Sequence, residues 1–129
     1  MMCTPSGTTV FVHGLAVRAY VGIGALERQA VQTILIDLDI RLGNPCIMQD
    51  RMDASINYKT IADMIEELCA TERMRLIETL AERIARRIFE DTRAAEVTIR
   101  ITKPRKLPHA EAVGVCRTFS NVEVPDARY

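Results

Sequence analysis

The stretch RLIETLAERIA (residues 75–85) decides what kind of fold this chain can adopt. Its apolar residues Leu76, Ile77, Leu80, Ala81, Ile84 and Ala85 recur at helical spacing, and Ile88 extends the row, which predicts a helix laid against a core. Glu82, Arg83, Arg86 and Arg87 point the other way, toward water. Glu78 fits neither group: at about 100° per residue it falls beside Ala85, on the border of the buried arc. A carboxylate in that place needs an explanation.

Upstream, Ile61, Met64, Ile65 and Leu68 form the stripe of another helix, which Asn57 or Ser55 can cap; a break around Thr71 to Arg75 separates the two helices. Further out the period changes from 3.6 to 2. TVFVHGLAVRAYV (9–21) is rich in β-branched and aromatic residues, and its second half alternates Leu15, Val17, Ala19 and Val21 with Ala16, Arg18 and Tyr20. QTILIDLDIRL (32–42) alternates Ile34, Ile36, Leu38 and Ile40 with Leu35, Asp37, Asp39 and Arg41. AEVTIRITKP (95–104) does the same with Val97, Ile99 and Ile101 before Pro104 ends the ladder, and AVGVCRTF (112–119) is short enough to be a last strand. The order is ββααββ. It predicts an α+β domain over residues 9–119, a four-stranded antiparallel sheet with two helices side by side on one face. Residues 1–8 and 120–129 are expected to be tails, GIGALERQAV (22–31) a loop and GNPCIMQDRMDAS (43–55) a long one. So small a sheet leaves edges that a second copy can cover, so an oligomer is expected.

Composition narrows the function classes. Hydrophobic residues make up 48% of the 129, enough for one core and one domain. Seventeen basic residues balance seventeen acidic ones, and there is neither a basic stripe nor an abundance of aromatics, so no nucleic-acid or anionic-membrane partner is expected. No apolar run approaches the ~18 residues of a membrane span. Cys3, Cys46, Cys69 and Cys116 are scattered without a CxxC pair, which reads as reduced thiols packed as small apolar residues in a cytoplasmic protein. His13 and His109 show no metal-ligand spacing, and GxGxxG, GxxxxGK[ST] and GxSxG are absent, so no metal and no nucleotide-phosphate cradle is expected.

The residues left with possible chemistry are few. Glu27 lies in a glycine-containing loop, Tyr58 opens a helix, and Glu78 sits in a first helical turn; solvation, packing and the helix dipole can account for each one separately. Lys103 stands out because only Lys59, Lys103 and Lys106 among the seventeen basic residues are lysine, and a lysine, unlike an arginine, can give up its proton.

Taken together, FVHGLAVRAYVGIGALERQAVQTILIDLDI, INYKTI, RLIETLAERIA and VTIRITKP followed by LPHAEAVGV resemble the dihydroneopterin aldolases of folate biosynthesis, from about Val10 to Arg117. The resemblance implies a tunnelling fold, in which subunits join their sheets into a β-barrel ring, as homo-tetramers or stacked homo-octamers with active sites between subunits. It implies metal- and Schiff-base-independent retro-aldol cleavage of 7,8-dihydroneopterin, with no cofactor. Glu78, with backbone help from Ile77, would bind the pterin's 2-amino group and N3. Lys103 would be the acid/base residue, and Glu27 would orient the hydroxylated side chain. Tyr58, with Ile56 beside it, would reach in from the neighbouring subunit. The alternatives are a 2′-epimerase of dihydroneopterin or its triphosphate, for which Arg28, Arg105 and Lys106 would have to supply a basic pocket, and a non-catalytic pterin-binding oligomer.

Overall fold

The computed structural model describes residues 5–43, 50–52, 55–104 and 106–121. Cys3, Cys46, Arg105, most of the two expected tails and part of the long loop lie outside them.

Strands β1 (Thr9–Val21), β2 (Gln32–Leu42), β4 (Ala94–Pro104) and β5 (Ala112–Ser120) form where the alternation predicts them. They pair antiparallel, β1 with β2, β2 with β4 and β4 with β5. The register stacks like on like: Val17 faces Ile34, Ile36 faces Ile101 and Leu38 faces Ile99. A one-residue slip would turn all of these to the other face. Near the start of β1 the register shifts between Val12 and Leu15, at Gly14, whose φ of 73° is the left-handed conformation that a glycine tolerates best.

Helices α2 (Tyr58–Thr71) and α3 (Ile77–Ile88) cover one face of the sheet, α2 over β1 and α3 over β4 and β5. Of the two residues able to cap α2, Asn57 does so, its side chain accepting from the Lys59 amide at 3.0 Å. Ile61, Ile65, Leu68 and Cys69 of α2 and Ile77, Leu80, Ala81, Ile84, Ala85 and Ile88 of α3 meet the inward row of the strands. Ile34, Ile36, Leu38, Ile40, Ile65, Leu80, Ile84, Ile99 and Ile101 lose all contact with water. Each such side chain contributes roughly 1.5–3 kcal/mol by the area it buries.

Two elements differ from the expectation. Arg73–Met74 is a fifth strand, β3, parallel to the end of β1 through Tyr20 and Val21, so the sheet runs β3-β1-β2-β4-β5. Within the loop after β1, Ala25–Gln29 forms a short helix, α1. Two residues cannot show an alternation, and five cannot show a helical period. A third difference concerns Cys116: it does not pack in the core but stands exposed on β5, whereas Cys69 is buried in α2. In β5 the inward row is Val113, Val115, Arg117 and Phe119, and Cys116 falls in the outward one.

Helices cover only one face, and the sheet does not close on itself. β5 is one outer strand; β3 protects the other outer strand, β1, only at Tyr20 and Val21. Asn121 prolongs the β5 edge, its amide donating to the Ala95 carbonyl at 2.9 Å.

Candidate active site

The chemistry-bearing residues gather where β1 and β4 end. After Val21 the chain turns through Gly22, whose amide donates to the Met74 carbonyl of β3 at 2.9 Å. Gln32, at the start of β2, braces the same turn by donating to the Val21 carbonyl at 2.6 Å. α1 then folds Glu27 back over Gly22 so closely that a Cβ on residue 22 would lie 2.3 Å from the Glu27 carboxyl carbon. Glycine is favoured there because the Glu27 side chain, down to its Cβ, occupies the space a larger residue would need.

Lys103, next to last in β4, reaches the same carboxylate, with Nζ 3.5 Å from Glu27 Oε2. Lys106, in the turn after β4, donates to that oxygen at 2.5 Å. The lysines differ in setting: the Lys103 side chain is 14% exposed and that of Lys106 43%. The Lys106 hydrogen bond, helped by the charges of both ammonium groups, holds the Glu27 carboxyl below its ordinary range against the opposing effect of desolvation. The result is an ion-pair cluster, one member of it mostly withdrawn from water, that puts an acid and a base within reach of each other.

Glu78 is the second residue of α3, four residues after Met74, so the two helix starts hang from the same end of the sheet. Its backbone carbonyl accepts from Arg117 Nη1 at 3.1 Å, while its half-buried carboxylate has no partner among the described residues. Leu76, the N-cap, offers no side-chain acceptor to the first-turn amides. A carboxylate beside uncapped amides is complementary to a planar edge that carries both N–H donors and a carbonyl.

Tyr58 and Ile56 lie elsewhere. Tyr58 opens α2, 63% exposed, and Ile56 is buried against it. Ile56 shares a cleft with Asn57, Ile61, Arg87 and Ile88, at the far end of α3 from Glu78. A 12-residue helix is about 18 Å long. Within one chain, then, Glu27 and Lys103 come together, Glu78 stands at their end of the molecule, and Tyr58 with Ile56 is at the other.

Two neighbours of these residues have contacts that the sequence does not show. The sequence offers Lys106 only as one of three lysines and as a contributor to a basic pocket; its pairing with Glu27 depends on how the turn after Pro104 folds. Arg117 fastens the start of α3 to β5, donating also to Glu82 Oε2 at 3.4 Å and lying over the Phe119 ring at 4.8 Å. Its signal was present: it is the one charge in the inward row of β5.

Known proteins resemble the chain along most of its length. The family model for dihydroneopterin aldolase matches residues 10–118. Among curated relatives, the dihydroneopterin aldolase of Streptomyces coelicolor is 31% identical over 96 residues, 74% of this chain and 81% of that one. That of Methylorubrum extorquens is 33% identical over 97 residues, 74% and 75% of the two chains. A Vibrio cholerae crystal structure assigned to the same family superposes with a TM-score of 0.78 at 26% identity, covering 89% of this chain and 98% of that one. The Escherichia coli dihydroneopterin aldolase in complex with neopterin superposes at 0.76 over 88% and 99%; at 22% identity it speaks to the fold alone.

Proposed function

Because the chain belongs to the dihydroneopterin aldolase family, we propose that it cleaves 7,8-dihydroneopterin into 6-hydroxymethyl-7,8-dihydropterin and glycolaldehyde. The observation that carries this reading is the Lys103–Glu27 pair at the end of β4, on the side of the sheet where α3 begins with Glu78, whose carboxylate has no partner among the described residues.

Glu78 would accept two parallel hydrogen bonds from the pterin's 2-amino group and N3, and the Ile77 backbone would add a third contact. This accounts for a carboxylate on the border of a buried arc: it faces a ligand, and the dipole of α3 favours its charged form. Lys103 would then stand at the reacting side chain. Removal of the 2′-hydroxyl proton breaks the C1′–C2′ bond and releases glycolaldehyde. The bonding pair moves through C6 to N5, and the resulting enamine takes a proton back at C1′. One lysine with a bound water can serve both proton transfers, and Glu27 would hold the lysine and the side-chain hydroxyls in line. The dihydropterin ring is itself the electron sink, so the reading calls for neither metal nor Schiff base.

Tyr58 and Ile56, an α3 length away from Glu78 in the same chain, would act from a neighbouring copy, the partner subunit's Tyr58 covering the pterin. Joining the open β5 edge of one chain to the β1 edge of the next builds the barrel ring of the tunnelling fold, as a tetramer or stacked octamer, and brings the two halves of the site together. The reading places the protein in the cytoplasm; among the described residues no helix is long and apolar enough to cross a membrane. A dedicated triphosphate epimerase is less well supported: of the three residues its basic pocket would need, Lys106 is engaged by Glu27, and Arg105 and the Arg28 side chain lie outside what the structure describes.

The test is to incubate the protein with 7,8-dihydroneopterin and a chelator and to follow products by chromatography, with Lys103→Ala alongside. Hydroxymethyl-dihydropterin from the wild type, unaffected by borohydride, with loss of roughly 10²-fold or more in Lys103→Ala, is expected. Epimerised substrate alone, or binding without turnover, would refute the reading.

A further inference from the structure

Glu27 is held by two ammonium groups, although the proton transfers proposed above need only Lys103. The helix that carries Glu27 is five residues long, follows two glycines at positions 22 and 24, and has no side-chain cap at Gly24. So short a helix does not fix a side chain by itself. The position of the carboxylate therefore depends on what grips it. The shorter of the two contacts is the outer one, Lys106 at 2.5 Å against Lys103 at 3.5 Å. The inner lysine is the one withdrawn from water, where a substrate side chain would be met.

We propose that Lys106 is a positioning residue of the aldolase reaction, its ammonium anchoring the Glu27 carboxylate beside Lys103 and leaving the donors of Lys103 free for substrate and water. The inference rests on the function proposed above. Lys106 comes two residues after Pro104, which ends β4 opposite Ala112, so the end of the ladder sets where its stem begins. The groups that face Glu27 are Lys103 from β4 and Lys106 from the turn; no other charged side chain among those described pairs with it. The Lys106 contact is also the strongest influence keeping the Glu27 carboxyl ionised. Because Lys106 acts through Glu27, its removal should matter only while Glu27 is a carboxylate.

The experiment is a cycle of kcat and KM for dihydroneopterin cleavage in the wild type, Lys106→Met, Lys106→Arg, Glu27→Gln and the double variant Glu27→Gln with Lys106→Met. Lys106→Met is expected to lower kcat about tenfold with a much smaller change in KM, the scale of a misplaced catalytic group. Lys106→Arg should recover most of that loss, and the double variant should be no slower than Glu27→Gln alone. An unchanged kcat in Lys106→Met would overturn the inference. So would a loss in the double variant that multiplies the two single losses, since Lys106 would then act independently of Glu27. A wild type that cleaves no dihydroneopterin counts against the proposed function; a cleaving wild type with a fully active Lys106→Met counts against this inference alone.

Discussion

Glu78 and Gly22 tie the proposed function to stability in different degrees. The Glu78 carboxylate is half-buried without a partner among the described residues, so Glu78→Gln removes nothing that holds the fold beyond a small helix-dipole effect. It does put an amide N–H₂ where the proposed pterin contact calls for a charged acceptor. Pterin binding should weaken roughly ten- to a hundredfold, the range for losing a charge-assisted hydrogen bond, while the melting temperature stays close to wild type. Calorimetric titration beside a thermal melt checks this; unchanged affinity would mean that Glu78 only terminates a helix. At Gly22 the added methyl of Gly22→Ala meets not only the Glu27 carboxyl but also the Glu27 Cβ, at 2.6 Å, which cannot swing aside, so the backbone of α1 has to move with the carboxylate. The expected result is a kcat lower by one to two orders of magnitude together with a lower melting temperature, since about 1 Å of misplacement can have the first effect and displacing α1 the second. A full wild-type kcat would show that Glu27 need not sit over residue 22. Apart from the family resemblance, the sequence presents Glu27 as an ordinary solvated loop charge, because the glycine beneath it and the lysine across from it are neighbours only in space.

At the scale of elements, the long ones were legible and the short ones were not. The row Ile34, Ile36, Leu38 and Ile40 repeats often enough to fix both the strand and its buried face, and each of the four is fully buried. The stripe along α3 does the same for a helix, with Leu80 and Ile84 at 0% exposure. β3 and α1 escaped because they are shorter than any period that could announce them, and both are formed by tertiary contacts, the Gly22–Met74 hydrogen bond and the grip of lysines on Glu27. The site was legible only in part for the same reason: its residues sit on those short elements and in turns. The two described cysteines show what burial by an element does to reactivity. Cys69 faces the core from α2, and desolvation pushes its thiol up to about 11, whereas Cys116 is exposed on β5. Thiolates are the reacting form, so at pH 8 an alkylating reagent should leave Cys69 unmodified until the protein is unfolded. Peptide mapping after labelling of the folded protein is the check; modification of Cys69 at the rate of Cys116 would show that α2 opens readily.

At the scale of the whole molecule, the residues of the proposed site fall into two groups that a single chain does not bring together. Glu27, Lys103 and Glu78 lie toward one end of the helical layer, and Ile56 and Tyr58 lie at the other, with the 12-residue α3 between them. The open β1 and β5 edges offer the means of bringing the halves together. Tyr58, exposed, is a residue type that subunit junctions favour, whereas Ile56 is already covered within its own chain's core. The most direct test mixes two inactive proteins. Lys103→Ala and Tyr58→Ala, each purified as its own assembly, would be dissociated, mixed, reassembled and assayed for glycolaldehyde release. Sites shared between subunits predict that the mixture regains activity neither parent has, because some junctions then pair an intact Lys103 with the partner subunit's Tyr58. A mixture as inactive as its parents, from subunits shown to have exchanged, would contradict a site built from two chains.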